Sequence, residues 1–217
     1  MSAELVARVV SYGVIAGSLT VKVPVILNVR SYRSGLGLSL GSLYLEALSL
    51  SCHSAYSLQR GTALSAWAEC LSVLAQDAVL VVLLWRYANH EASSIAGAVL
   101  AYAAALTCMF GLPAEHLALL PLLATALGLA GSLPQIWANH VNGHTGALSP
   151  ITQSLNVAGV GARVFTTLQL VTGDSAALAS VLVSFVLQLF LMAQLLAMRS
   201  ATAAAIQAQL QARLKQE

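Results

Sequence analysis

The stretch GSLPQIWANHV, residues 131–141, places Pro134 and Gln135 near the end of an apolar run, which then leaves through polar and histidine-containing residues. The stretch VKVPVILNVRS, residues 21–31, repeats the design with Pro24, but the residue after its proline is Val25. Shifted by 110 positions, Pro24 meets Pro134, Leu38 meets Leu148 and Ser39 meets Ser149. The distance from each proline to the next apolar run is therefore kept, as an internal repeat requires.

The chain around these stretches is built for lipid. Of its 217 residues 58% are hydrophobic and 8% charged, with a mean hydropathy of +0.80, whereas a soluble domain carries about 25% charged residues. Apolar runs long enough to cross a hydrocarbon core recur along the sequence. Seven spans can be drawn, at about 5–27, 38–57, 67–85, 94–110, 116–137, 149–171 and 176–198. Helices are expected, because open strands would leave backbone groups unpaired in lipid. Glu4 and Arg8 mark the first run as a retained span, with no persuasive cleavage site beside it.

Two three-helix units, each crossing three times, share one orientation only if an extra span reverses the chain between them. The fourth span supplies it. The expected fold is all-α and integral to the membrane: seven transmembrane helices in a 3+1+3 order, with parallel repeats and a site near the midplane at their interface. Residues 1–90 form the first repeat, 91–113 the linking helix, 114–199 the second repeat and 200–217 a cytosolic tail that extends the last helix or frays. Arg30, Arg33, Arg86, Arg199, Arg213 and Lys215 fall on one side of this arrangement. That side is expected to be cytosolic, with a lumenal N-terminus and a cytosolic C-terminus.

Each proline removes one backbone bond and crowds the carbonyl four residues earlier, so Pro24 is expected to free the carbonyl of Thr20 and Pro134 that of Ala130. A glutamine beside such a break offers two donors and an acceptor, and Gln135 is expected to latch its own kink, or the kink is static. Ionisable groups inside spans are functional candidates by default: Glu46 in the second, Glu69 and Asp77 in the third and Arg163 in the sixth. Lys22 is expected to snorkel to the cytosolic end of the first span. Arg163 needs an acidic partner, Glu46 or Asp77, or an anionic ligand; a buried pair that fixes helix register is the alternative. The 110-residue shift also sets Asn156 opposite Glu46 and Arg163 opposite His53. Gly159 and Gly161 suit close helix packing.

Other classes find little support. The net charge of +2 and the lack of a basic, aromatic-laced patch speak against nucleic acid. Cys52, Cys70 and Cys108 lie in apolar runs without CxxC or histidine spacing, and read as buried apolar cysteines rather than a disulfide framework or zinc site. No nucleophile–base set, metal-ligand spacing or phosphate loop is present, so no enzyme activity and no cofactor is expected.

GSLTVKVPVIL, GLSLGSLYLEALSL, AYSL, SAWAECLSVLAQ, NHVNGHTGALSPITQ and ARVFTTLQLVTGD together resemble the PQ-loop superfamily and, within it, the mannose-phosphate-dolichol utilisation defect proteins. The resemblance covers nearly the whole chain, and NGHTG (142–146) with the ARxFT pattern (162–166) carries most of its specificity. It implies an endoplasmic reticulum membrane protein needed for lumenal use of dolichol-phosphate-linked mannose and glucose in N-glycan and GPI-anchor assembly. On that reading the protein binds, presents or moves the lipid-linked sugar, with Arg163 or Lys22 meeting the phosphate. The rival readings are a small-solute carrier of the sugar or amino-acid kind and an accessory subunit of a larger membrane complex. Two residues depart from the family pattern: Val25 stands where a glutamine is expected, and Asp77 where a neutral hydroxyl residue is expected. Asp77 is thus either a proton-linked group or the pair for Arg163.

Overall fold

The computed structural model describes residues 17–62, 64, 67–170 and 175–215, with the backbone alone at 163, 165–170, 175–177 and 213. Every regular element among them is helical: α1 (Val23–Tyr32), α2 (Leu40–Gln59), α3 (Ala68–Tyr87), α4 (Ala92–Phe110), a 3₁₀ turn (Ala114–His116), α5 (Leu119–Asn142), α6 (Pro150–Leu170), α7 (Ser175–Ala197) and α8 (Arg199–Leu214). Helices satisfy their own backbone groups, which is what a chain of this composition needs in lipid. Four are long and apolar enough to cross a membrane: α3, α4, α5 and the Leu178–Ala197 part of α7.

The most extensive helix contact joins α2 to α5, and α6–α7, α2–α3 and α5–α7 follow. Gly128 and Gly131 bring the first pair together. A Cβ on Gly131 would lie 3.5 Å from Leu45 Cβ, and one on Gly128 would lie 3.2 Å from Ser49 Oγ. Small residues that let backbones approach are the usual basis of such packing, since lipid offers no hydrophobic drive between helices. Ser49 Oγ also donates to the Ala124 carbonyl at 2.6 Å. Gly159 and Gly161, expected to serve close packing, do less: among the described residues Gly159 has no neighbour within 4 Å of a Cβ and Gly161 meets only the Phe185 ring. The extra approach is needed along α2–α5, where the two halves meet.

Two apolar clusters bracket that interface. Val25, Val29, Leu43, Leu80, Val81, Leu84 and Ala147 form one; Cys52, Ala55, Met109, Leu117, Leu120 and Ala124 form the other. Helix α4 is mostly exposed on its flanks, and its Tyr102 OH pairs with Ser51 Oγ at 2.6 Å. Cys108 lies exposed on that helix, unlike buried Cys52 and Cys70; the expectation of three buried cysteines fails there because α4 has few neighbours.

The repeat is legible in the backbone. Arg33 (φ 46°) ends α1 and Gly143 (φ 66°) ends α5, both left-handed. Leu38 N–H then donates to Gly35 O at 2.9 Å, and Leu148 N–H to Thr145 O at 3.2 Å. The next helices start alike, with Ser39 Oγ accepting from Ser42 N–H at 3.2 Å and Ser149 Oγ from Thr152 N–H at 3.4 Å. Serine at the N-cap satisfies one of the donors a helix start leaves unpaired.

The two prolines do different things. Pro134 lies inside α5, which continues to Asn142. Pro24 instead sits in the first turn of α1, after a non-helical turn at residues 19–22, so the expected single first span is interrupted. The Thr20 carbonyl is not freed; it accepts from Val23 N–H at 3.1 Å. Nor does the chain fray after α7. The backbone bonds Met198 N–H to Gln194 O and Thr202 N–H to Met198 O carry helical spacing into α8.

Candidate functional site

The loops that follow the two prolines, 33–39 and 143–149, lie against each other backbone to backbone. Ala147 N–H donates to Leu36 O at 2.8 Å. A Cβ on Gly37 (φ 78°) would fall 2.7 Å from Gly146 Cα, and one on Gly146 (φ 54°) would overlap the Leu36 carbonyl. Both positions combine a left-handed φ with a contact that excludes any side chain.

Gln135 ties the junction. Its Nε2 donates to Gly37 O at 2.6 Å and to Asn139 Oδ1 at 2.9 Å, while its Oε1 accepts from Ser39 N–H at 2.7 Å. Both amide protons and the oxygen are thus used, which fixes the side chain's orientation. Asn139, fully buried, passes the chain on through Nδ2 to Gln194 Oε1 at 3.0 Å, and Gln194 Nε2 returns to the Ile136 carbonyl at 3.1 Å. The expected latch on Gln135's own kink is therefore corrected: the amide holds the loop of the other half. The reason is directional. Gln135 lies on the face of α5 turned toward α2, where the Gly37 carbonyl and the Ser39 N–H are the backbone groups in reach.

Val25, which replaces the glutamine in the first stretch, packs in the apolar cluster. Asn28, one turn further on, does the reciprocal work, its Nδ2 donating to the Ala147 carbonyl at 3.2 Å. Gly37 and Ala147 correspond under the 110-residue shift. Each half thus sends one amide to the equivalent carbonyl of the other. Beside the junction, Thr145 N–H donates to Thr202 Oγ1 at 3.0 Å, and the two hydroxyls lie 3.1 Å apart. The tail helix α8 is docked there.

A second polar centre surrounds the break before α1. Lys22 is 6% exposed. Its Nζ stands 2.6 Å from Glu46 Oε2 and 2.5 Å from Asp77 Oδ1. The expectation that Lys22 snorkels is corrected: Lys22 turns inward because the chain breaks at 19–22 and aims it at α2 and α3, where it takes up both acids, while the expected pairing of Arg163 lies outside the described residues. The break is held by Gln76, whose Oε1 accepts from Lys22 N–H at 2.9 Å while its Nε2 donates to Ser18 O at 2.7 Å. One side-chain amide bridges the two groups that a continuous helix would join directly. From α6, Thr152 Oγ1 donates to Val21 O at 2.7 Å.

Of the residues named from sequence, the structure brings Lys22, Glu46 and Asp77 together and sets Gln135 at the loop junction. Pro24 and Pro134 flank the two centres. Asn156 lies half-buried on α6, and none of the bonds described for either centre includes it. Arg163 is on α6, and its side chain falls outside the described residues. Sequence reading passed over Asn28, Gln76, Asn139, Thr152 and Gln194. The repeat shift could have found two of them, because it sets Asn139 opposite Val29 and Gln194 opposite Leu84. A polar residue where the other half is apolar is the signal. The same shift sets Lys22, Glu46 and Asp77 opposite Ser132, Asn156 and Leu187. None of these three charged positions of the first half has a charged counterpart in the second.

Fold and site together define a multi-pass α-helical membrane protein whose two halves meet at paired proline loops. The family model for the PQ loop repeat matches residues 117–176, a stretch containing Pro134, Gln135 and the whole second loop. The match supports the PQ-loop superfamily and a transporter-like membrane protein. No solved structure matches the chain significantly.

Proposed function

We propose that this chain is an endoplasmic reticulum membrane protein that binds, presents or moves dolichol-phosphate-linked mannose and glucose for glycan and GPI-anchor assembly, without being an enzyme. The proposed frame is the seven-span 3+1+3 arrangement, with a lumenal N-terminus and a cytosolic C-terminus. One observation carries the reading: NGHTG, the stretch most specific to the mannose-phosphate-dolichol utilisation resemblance, forms the loop whose Thr145 and Gly146 seat against α8 and the first half. Its family-specific residues are thus spent on the contact that sets how the halves sit together. Lys22 is already bracketed by two carboxylates, so the phosphate falls to Arg163, with the polyprenyl tail along the lipid-facing helix flanks.

Complementation of cells lacking the family protein, with profiling of lipid-linked oligosaccharides, tests this. Restored full-length precursors are expected; truncated precursors despite normal expression and location would refute it. In the same assay Arg163→Ala is expected to weaken rescue more than Cys52→Ala, and equal, near-normal rescue by both removes Arg163 from the site.

The ionic cluster favours a second reading, a small-solute carrier of the sugar or amino-acid kind, since charged groups inside a membrane commonly mark substrate and ion paths. Proteoliposome uptake over a broad solute panel separates the two; no uptake of any solute sinks the carrier.

A further inference from the structure

We propose that the Lys22–Glu46–Asp77 cluster binds one exchangeable proton, resting on Asp77 and reaching water through Glu46. The inference stands apart from the identity of the sugar or solute. Three ionisable side chains meet here, one cationic and two anionic, so the fully charged cluster carries a net charge of −1. Among the described residues, Lys22 and Glu46 are the charged groups that face Asp77 from the two segments packed against α3, the turn before α1 and helix α2.

Asp77 is fully buried. Its Oδ1 pairs with Lys22, while its Oδ2 is buried with no hydrogen-bond partner among the described residues. A bare carboxylate oxygen in a low-dielectric setting is costly, and the group neutralises instead where it can. Glu46 differs: its side chain is 40% exposed, and Lys22 Nζ bridges it to Asp77. The transfer balances without any other reactant. Lys22 gives one proton to Glu46 and takes one from Asp77, its ammonium is restored, and Glu46 releases the proton to water.

The fold itself does not demand these charges, since the equivalent positions of the second half are Ser132, Asn156 and Leu187. A charged trio kept in one half alone is placed to read protons rather than to hold helices.

Infrared difference spectroscopy of the full chain in lipid nanodiscs, titrated from mildly acidic to mildly alkaline pH, counts protonated carboxylic acids by their carbonyl stretch. The parent is expected to show one titrating acid band in the buried environment. Asp77→Asn is expected to lose it, because one cation then balances one carboxylate. Glu46→Gln is expected to lose it for the same reason, and it decides the matter should Asp77→Asn fail to fold. Lys22→Met is expected to double the band. A parent with no such band anywhere in the range overturns the proposal, as does a band of unchanged amplitude in Asp77→Asn or in Glu46→Gln. A purely structural role for the trio predicts no such stepwise count.

Discussion

Replacing Gln135 with valine imposes on the second half the residue that the first half carries at Val25. The substitution removes the acceptor for Ser39 N–H, the donor to Gly37 O and the donor to Asn139 Oδ1. A buried polar group left without its partner costs about 1–3 kcal/mol, while measured side-chain bonds in a membrane protein average about 0.6 kcal/mol. Three bonds at the lower figure set a floor near 2 kcal/mol. Two stranded backbone groups at mid-range raise the total to about 4 kcal/mol. For a chain of this size that corresponds to a fall in Tm of roughly 4–16 °C, taking about 2–4 °C per kcal/mol. Thermal unfolding of the purified protein in nanodiscs measures it, with activity in the complementation assay as the second readout. A triple mutant sharpens the test. Gln135→Val combined with Asn139→Val and Gln194→Leu copies the Val25–Val29–Leu84 set of the first half. It is expected to cost less than the sum of the single changes, because no side-chain amide is left facing a missing partner. A Gln135→Val protein as stable and active as the parent would refute the cross-loop role of this amide and leave Pro134 a kink with nothing attached.

Three other changes probe the same architecture. Gly146→Ala places a Cβ on the Leu36 carbonyl at a left-handed φ and is expected to abolish folded, monodisperse protein in size-exclusion chromatography, whereas Gly159→Ala, with open space at its Cβ, should leave the elution profile unchanged. Lys22→Met leaves buried Asp77 and part-exposed Glu46 without their cation and is expected to cost less than the penalty of about 3–5 kcal/mol for a fully buried broken pair, because protonation of the acids relieves part of it; adding Glu46→Gln and Asp77→Asn is expected to recover most of the lost Tm. Thr202→Val removes the hydroxyl that accepts from Thr145 N–H, so amide exchange in residues 143–147 should speed up by several-fold while exchange in α3 stays as it was.

Much of the architecture could be read before any coordinates. The expected second span at 38–57 and the observed α2, Leu40–Gln59, differ by two residues at each end, and α3, α4, α6 and α7 agree to a similar margin. Hydrophobic run length is a local quantity, and it sets a helix in lipid almost unaided. The fifth span extends five residues beyond the expected end, to Asn142, because Asn139 and His140 read as loop residues until Gln194 is seen to cover the first of them. The expected first span is broken at residues 19–22 for a similar reason, its part before residue 17 lying outside the described residues. Its interruption needs Gln76, a residue 54 positions away, to bridge Ser18 and Lys22.

The site divides along the same line. Composition and run length determined that the chain is helical and membrane-embedded. The 110-residue shift determined that two halves repeat, and the cost of charge in lipid marked Lys22, Glu46, Asp77 and Arg163 as the groups to watch. Pairing was beyond its reach. Whether Lys22 snorkels or turns inward depends on where α2 and α3 place their carboxylates, and whether Gln135 latches its own helix or the opposite loop depends on the α2–α5 crossing that Gly128 and Gly131 permit. Those are distances between segments 24 to 98 residues apart, set by packing of the whole bundle. Sequence fixes which groups are costly to leave alone in lipid; the tertiary structure alone decides which partner each of them finds.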